Sequence, residues 1–375
     1  MRIVVVGNGP TAVDGDGVYH VERYAGRFLV DLAELGHRVA FLQPLERLLP
    51  DSNYYGCILP PDKVRMIGLD RRSRISLVRT MIAMLWALIR ADFVYIFFPG
   101  TLPSLVVRLC RMLGKRYGLY LRGEGFSEAE DHATIHGARF ILSVSEGLLA
   151  RVRHLNRKVG LIRPMVDLSR EDAVRRDFSE RRGRPLRLLF VGRLEAEKGT
   201  PELIEAAGLL QQRGMDFELT LVGGGPLHAE LSRRFSPEPP QPIKVMGAVG
   251  DSGVLMRAYE EADLFILPTY HEGFPRVLYE AMIKSAVVIT TMVGGIPSLM
   301  KGGQNCLAIP VGDAIAIADA VERLAGDAAL MERLAGAGLA TVLSVLQDNP
   351  PHVLALQRGL AALDAACPDE TVVER

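Results

Sequence analysis

Apolar residues along this chain gather in short runs that alternate with stretches of helical periodicity. Residues 3–6 form a brief β-branched run closed by glycine, the pattern of a buried strand. From 21 to 35 the apolar positions recur at helical spacing and stop at Gly36, a helix C-terminal signal. Residues 39–42 read as a second strand, and further strands are expected at 93–97, 118–121 and 140–144, with a helix from about 102 to 113. Strand–helix units whose strands are apolar throughout predict a parallel sheet covered on both faces. The alternation restarts at residue 186. Strands are expected at 186–191, 217–222, 243–246, 264–267 and 287–290, and helices at about 201–213 and 275–284. Residues 169–185, dense in charge and poor in large apolar side chains, read as an interdomain linker. The tail from 350 to about 366 is helical again. The expected fold class is α/β, two doubly wound domains in series: 1–168, then 186–345, with 346–375 after them.

Composition narrows the classes. A chain of 375 residues suits two domains, and 49% hydrophobic with 23% charged residues is a folding composition. The 44 basic residues cancel the 44 acidic ones, which argues against a dedicated nucleic-acid binder. Cys57, Cys110, Cys306 and Cys367 lie far apart, so neither a zinc ribbon nor a disulfide scaffold is expected, and a reducing compartment is the default. The longest purely apolar run, residues 81–89, falls well short of the ~18–20 that a spanning helix needs. The apolar stretch after Arg2 is too short for a signal-peptide core and suits a first strand, which points to the cytoplasm.

Charge is unevenly spread. Between residues 63 and 122 stand Lys63, Arg65, Arg71, Arg72, Arg74, Arg79, Arg90, Arg108, Arg111, Lys115, Arg116 and Arg122, against only Asp70 and Asp92. The same stretch holds the apolar run around Trp86. Two readings stand open: a segment lying on an anionic membrane surface, or a core-facing helix with a solvated basic side.

Four constellations could carry chemistry. Gly7-Asn8-Gly9-Pro10-Thr11-Ala12 fits the Gly-x-Gly-x-x-Ala dinucleotide fingerprint. However, Asp14-Gly15-Asp16-Gly17 breaks the helix that should open there, and Gln43-Pro44 stands where an acidic ribose ligand is required. A glycine-rich loop at the carboxyl edge of a sheet is the alternative. Val191-Gly192-Arg193-Leu194 with Lys198-Gly199 sets two cations between a strand and a helix N-terminus, an arrangement that fits a diphosphate or two solvated surface cations. Val222-Gly223-Gly224-Gly225-Pro226 permits close backbone approach to a ligand or makes a plain turn. Lastly, residues 271–282 run His-Glu-Gly-Phe-Pro-Arg-Val-Leu-Tyr-Glu-Ala-Met. Pro275 suits a first helical turn, so Glu272 lies in the loop before it and Glu280 about two turns inside. The positive end of that helix favours phosphate, and the carboxylates suit sugar or ribose hydroxyls, unless the helix is an ordinary amphipathic one with solvated Glu.

Taken together, these motifs resemble the retaining family 4 glycosyltransferases of GT-B fold, bacterial surface-polysaccharide type. Glu272 and Glu280 match that family's Glu-x7-Glu signature. In order, Val-Gly-Arg-x-x-x-x-Lys-Gly at 191–199, Gly-x-Gly-Pro at 223–226, Ala-Asp-Leu-Phe-Ile-Leu-Pro at 262–268, Gly-Gly-Ile-Pro at 294–297, Asn305 and Gly312-Asp313 also match. The likeness continues more weakly through Gly36-His37-Arg38-Val39 and Ser143-Val144-Ser145-Glu146. It implies two Rossmann-like domains facing across a cleft. The first would bind the acceptor and the second the nucleotide-sugar, with residues 346–375 crossing back to the first.

It also implies roles. Arg193 and Lys198 clamp the donor diphosphate. Glu280 holds the ribose, and Glu272 binds hydroxyls of the transferred sugar. Gly273, Phe274, Arg276 and Val277 supply amides. Gly192, Gly223 and Gly225 line the donor, whose base stacks near 223–226 and 246–248. Gly15 and Gly17 approach the diphosphate. No metal and no cofactor are implied, and UDP is the expected nucleotide. Two departures are visible: Tyr19 and His20 stand near the register of the family's usual Gly-Gly pair, and Leu121-Arg122-Gly123-Glu124 replaces its usual sugar-proximal His. A cation at Arg122 would suit an acidic sugar such as a uronate. The expected activity is hexosyl transfer to a hydroxyl of a lipid-linked or other glycan in polysaccharide synthesis. A catalytically silent nucleotide-sugar-binding protein and an NAD-dependent oxidoreductase are the alternatives.

Overall fold

The computed structural model describes residues 1–9, 11–47, 57–70, 74–123, 125–129, 131–179, 183–236 and 241–365. Pro10, Arg71, Arg72, Glu124, Cys367 and the last residue of the expected tail helix lie outside the described residues. The chain forms two compact units. One holds the described residues up to Met165 and again from Asn349; the other is Val166–Asp348.

The first unit contains β1 (Arg2–Val6), β2 (Thr11–Val13), β3 (Tyr19–Val21), α1 (Arg23–Glu34), β4 (Arg38–Arg47), β5 (Cys57–Ile58), β6 (Val64–Leu69) and α2 (Arg74–Arg90). It continues through β7 (Phe93–Phe98), α3 (Thr101–Met112), β8 (Tyr117–Leu121), α4 (His132–Gly137), β9 (Ile141–Ser143), α5 (Glu146–Val152) and β10 (Val159–Leu161). The parallel core runs β10-β9-β8-β7-β1-β4-β6, and every residue of β7 and β8 is buried, as fully covered strands should be. Instead of feeding a helix directly, β1 leads into the antiparallel pair β2–β3. Asp14 pins the tip of that pair by accepting the backbone N–H groups of Asp16 and Val18 at 3.0 and 2.9 Å and meeting His20 Nε2 at 2.8 Å. The helix expected from residue 21 therefore starts at Arg23, with the Glu22 side chain capping the amides of Tyr24 and Ala25.

The second unit contains β11 (Leu186–Val191), α6 (Thr200–Gln212), β12 (Phe217–Val222), α7 (His228–Arg234), β13 (Ile243–Gly247), α8 (Ser252–Glu261), β14 (Leu264–Leu267) and α9 (Arg276–Ile283). Then come β15 (Val287–Thr291), α10 (Ile296–Leu299), β16 (Leu307–Ile309), α11 (Ala314–Ala325) and α12 (Ala328–Asp348). Its 6-stranded sheet is parallel throughout, in the order β13-β12-β11-β14-β15-β16. The strand order reverses between β11 and β14. The space beyond Val191 and Leu267 is thus the topological switch point, where ligands of open α/β sheets bind. The last helix, α13 (His352–Ala365), belongs to the first unit and packs on α1.

The described residues of 169–185, expected as a linker, are packed onto the second unit. Phe178 is buried in its core, and the backbone N–H of Val174 donates to the Ile283 carbonyl at 2.9 Å. Arg176 donates to the carbonyls of Tyr259, Glu260 and Ala262, capping the C-terminal end of α8 with a cation. Arg184 makes two 2.7 Å hydrogen bonds to the buried carboxylate of Asp263. The charge density that suggested solvent exposure thus includes arginines tied to carbonyls and to a buried acid. The stretch Ala328–Leu363 passes the length and composition test for a bilayer-spanning helix. Yet α12 buries Leu330, Met331, Leu334, Leu339, Val342 and Leu346 in the core of the second unit. Cys57, Cys110 and Cys306 are free thiols. Burial pushes Cys110 up to about 12 and Cys306 up to about 11.

Candidate active site

Four loops of the second unit leave the carboxyl ends of β11, β12, β14 and β15, and backbone bonds join them. After β11, the Gly192 N–H donates to the Val222 carbonyl at 3.0 Å, and Leu194 N–H donates to the Gly224 carbonyl at 2.8 Å. After β14, Tyr270 N–H donates to the Glu197 carbonyl at 2.9 Å, and the Thr269 hydroxyl donates to the carbonyls of Glu197 and His271. After β15, Gly295 N–H donates to the Glu272 carbonyl at 3.0 Å.

Two glycines make this stacking possible. A β-carbon on Gly223, at φ 147°, would lie 1.8 Å from the Gly192 carbonyl oxygen, and one on Gly294, at φ 53°, would lie 1.9 Å from that of Glu272. The Gly-x-Gly run after β12 is therefore demanded by loop-on-loop packing: Gly225 lies against the Leu194 backbone in the same way, and the Gly223 N–H is used by the Gly247 carbonyl at 2.7 Å. At Gly223 the side a β-carbon would occupy is taken by the Gly192 backbone.

The side chains these loops carry do not all behave alike. Lys198, at the end of a 3₁₀ turn after β11, meets Glu272 Oε2 at 2.6 Å and the His271 carbonyl at 3.3 Å, with both charged groups largely shielded. Arg193 in the same loop points outward, 65% exposed, and pairs with Glu195 at 2.9 Å. Glu280 lies inside α9, buried, and accepts the Tyr259 hydroxyl of α8 at 2.8 Å. Pro275 caps α9, and the loop and first turn before it hold Gly273, exposed, with Phe274, Arg276 and Val277 half-buried. The first amides of a helix lack intrahelical partners, so this end is an anion-favouring one. Phe274 packs on Tyr279 at 5.3 Å between ring centres, which fixes the turn.

Sequence reasoning named Lys198, Glu272 and the α9 entrance, and the fold brings these together at the switch point. Arg193 shares the loop but turns toward Glu195. Gly15, Gly17 and Arg122 belong to the first unit. Gly15 and Gly17 are exposed at the tip of the β2–β3 pair. Arg122 follows β8 and holds its guanidinium 5.5 Å from the centre of the Phe97 ring. Tyr259 and Thr269 were missed. Tyr259 reads as one more apolar position of α8, and only the packing of α8 on α9 reveals its hydroxyl meeting Glu280. The dinucleotide fingerprint finds no support in local geometry: Asn8 donates to the Pro99 carbonyl at 2.7 Å, and Gln43 spends its amide oxygen on the Thr11 hydroxyl at 2.7 Å.

The two parallel-sheet units define a GT-B fold. Over the whole chain the structure is similar to Anabaena Alr3699/HepE, solved in complex with UDP-glucose, with TM-score 0.65 and 16% identity, covering 98% of this chain and 100% of that one. Residues 185–327, within the second unit, match the family model described as Glycosyl transferases group 1. Among curated relatives, the amylovoran biosynthesis glycosyltransferase AmsK of Erwinia amylovora is 34% identical over 146 residues, 37% of this chain and 36% of that protein. The putative teichuronic acid biosynthesis glycosyltransferase TuaC of Bacillus subtilis is 35% identical over 197 residues, 50% of this chain and 47% of that protein. These matches span less than half the length of either relative.

Proposed function

We propose that this chain is a retaining hexosyltransferase that moves a sugar from a nucleotide-sugar, UDP-linked in our reading, to a hydroxyl of a glycan or lipid-linked glycan in polysaccharide synthesis. The observation that carries this reading is the Lys198–Glu272 pair, 2.6 Å apart, at the switch point beside the α9 entrance. One cation, one carboxylate and a helix N-terminus are the groups a leaving diphosphate and a bound sugar require.

The roles follow from chemistry. The Lys198 ammonium has three donors; two face Glu272 and His271, and the third reaches a phosphate oxygen. Arg193 swings from Glu195 to fork onto the same diphosphate. The amides of Gly273, Phe274, Arg276 and Val277 share the remaining negative charge, and no metal is needed for this neutralisation. Glu272 accepts hydrogen bonds from sugar hydroxyls. Glu280, steadied by Tyr259, accepts from the ribose diol. The bond from the anomeric carbon to the phosphate oxygen breaks, and the bond to the acceptor oxygen forms on the same face. The acceptor proton goes to the departing phosphate oxygen. Products are a nucleoside diphosphate and a glycoside of unchanged anomeric configuration. In this reading the protein works in the cytoplasm, and at the inner face of the membrane where its acceptor is lipid-linked.

The test is release of nucleoside diphosphate from a panel of UDP-, GDP- and ADP-sugars, with the product anomer read by NMR. The proposal predicts release from one nucleotide class, retained configuration, and a loss of about 100-fold in Lys198→Ala. Donor binding with no release under any condition would instead make the chain a silent binding protein, and an inverted product would overturn retention.

A further inference from the structure

Helix α2 presents an apolar stripe to solvent. It runs for 17 residues, yet only Met84, Ala87 and Leu88 are buried with the core of the first unit. Ile75, Val78, Ile82, Trp86 and Ile89 are 75%, 57%, 64%, 44% and 51% exposed. Their spacing puts them along one side of a helix. The helix does turn one side to the core, with Met81 and Ala83 packed beside the buried residues, but its solvated side is apolar as well as basic.

The stripe is rimmed by cations. Arg65 and Arg90 hold their guanidinium groups 5.0 and 4.3 Å from the Trp86 ring centre, and Arg79 stands within the helix. Lys115, in the turn after α3, donates to the carbonyls of Ile89 and Ala91, bringing the C-terminal end of α3, where Met112 is 81% exposed, to the same end. The two acids of the segment lie at the ends of α2 and are both engaged: Asp70 accepts the hydroxyl of Ser76 in its first turn at 2.7 Å, and Asp92 accepts the Arg2 backbone N–H at 2.6 Å.

We infer that α2 is a membrane-docking element that lies in the headgroup plane of an anionic bilayer, its apolar stripe turned into the lipid and its arginines on the phosphates. Three observations select this occupant. At 1.5 Å per residue the helix is about 25 Å long, too short to span the ~30 Å hydrocarbon core, and Arg79 interrupts it. An amphipathic helix with a basic border is the form that rests in the interface. A second copy of the chain would set the arginine rims against each other, whereas anionic headgroups complement them.

Trp86 is the chain's single tryptophan, so its fluorescence reports on this face alone. The experiment adds vesicles of phosphatidylglycerol with phosphatidylcholine, or of phosphatidylcholine alone, to the full-length chain, with sedimentation alongside. The inference predicts that Trp86 emission moves to shorter wavelength, and that the chain sediments, with the anionic vesicles only. It also predicts reversal by high salt. Arg79→Gln should weaken binding about fivefold, the equivalent of ~1 kcal/mol per cation. Ile82→Asp should abolish the shift while leaving the thermal midpoint unchanged, because the side chain is exposed. No shift with anionic vesicles, a shift equal for both lipids, or a shift that survives Ile82→Asp overturns it. So does a dimer that Ile82→Asp dissociates in the absence of vesicle binding. Docking by α2 stands or falls independently of sugar transfer.

Discussion

A β-carbon at position 294 would have to share space with the Glu272 carbonyl oxygen, 1.9 Å away, from a backbone already at φ 53°. Gly294→Ala should therefore displace the loop that carries Glu272. The expected result is a stability loss of about 1–3 kcal/mol in urea titration together with weaker donor binding. Glu272→Ala, which leaves the largely shielded Lys198 ammonium without its 2.6 Å partner, should lower stability by about 1 kcal/mol and, beyond that, slow transfer. Glu280→Ala should mainly weaken nucleotide binding, by about tenfold or more, as loss of a charged hydrogen bond does. If both variants keep wild-type affinity and rate, the roles given to the two carboxylates are wrong. The motif residues themselves were legible in the chain, because charge and glycine spacing around strand ends are local signals. Their reasons were not: Gly223 is required by Gly192 in another loop, and Tyr259 by Glu280 on another helix, and neither pairing leaves a trace in local periodicity.

Among elements, the strands covered on both faces were the most readable. The runs at 217–222 and 264–267 match β12 and β14 residue for residue: β14 is apolar and buried from end to end, as a fully covered parallel strand is, whereas β12 buries Phe217, Leu219, Leu221 and Val222 and leaves Glu218 exposed. The short strands β2, β3 and β5 escaped because two or three residues cannot establish a period, and their pairing depends on partners distant in sequence. Residues 169–185 misled for a different reason: arginines that bond to carbonyls and to a buried acid look, in sequence, like arginines in water. This makes a prediction. Arg184→Ala removes both 2.7 Å bonds from the buried Asp263 carboxylate, which also accepts the Arg187 backbone N–H at 3.0 Å. A destabilisation of about 2 kcal/mol is expected, below the full value for a buried pair because Arg184 is partly exposed. Denaturation unchanged from wild type would mean that this segment is not part of the second unit's cooperative structure.

At the scale of the whole molecule, the chain returns to its first unit at the end, and α13 brings a buried histidine with it. The His352 ring lies 4.4 Å from the Tyr120 ring and 4.5 Å from that of Phe28, and Nε2 meets the Tyr95 hydroxyl at 2.6 Å. Burial, with a smaller contribution from the Arg122 charge, lowers its pKa to about 3. The unfolded chain therefore binds a proton here between about pH 6.5 and 3 that the folded chain does not. The stability contribution is whole above the unfolded pKa and is lost as pH falls toward the folded one. By pH 5 this amounts to about 2 kcal/mol, and His352→Gln should flatten that part of the pH profile in urea titrations at pH 7 and pH 5. Equal slopes in both proteins would contradict the burial of a neutral ring.

The fold class and the order of the motifs on the second sheet were visible from the sequence. What the fold adds is convergence, since the switch point between β11 and β14 gathers Lys198, Glu272 and the α9 entrance. The most direct test of that convergence is calorimetric titration of the full chain with UDP-, GDP- and ADP-sugars, repeated on Lys198→Ala and Glu280→Ala. One nucleotide class should bind with one site per chain and lose affinity at least tenfold in both variants. Binding that survives both substitutions, or no binding by any of the three classes, would contradict the account.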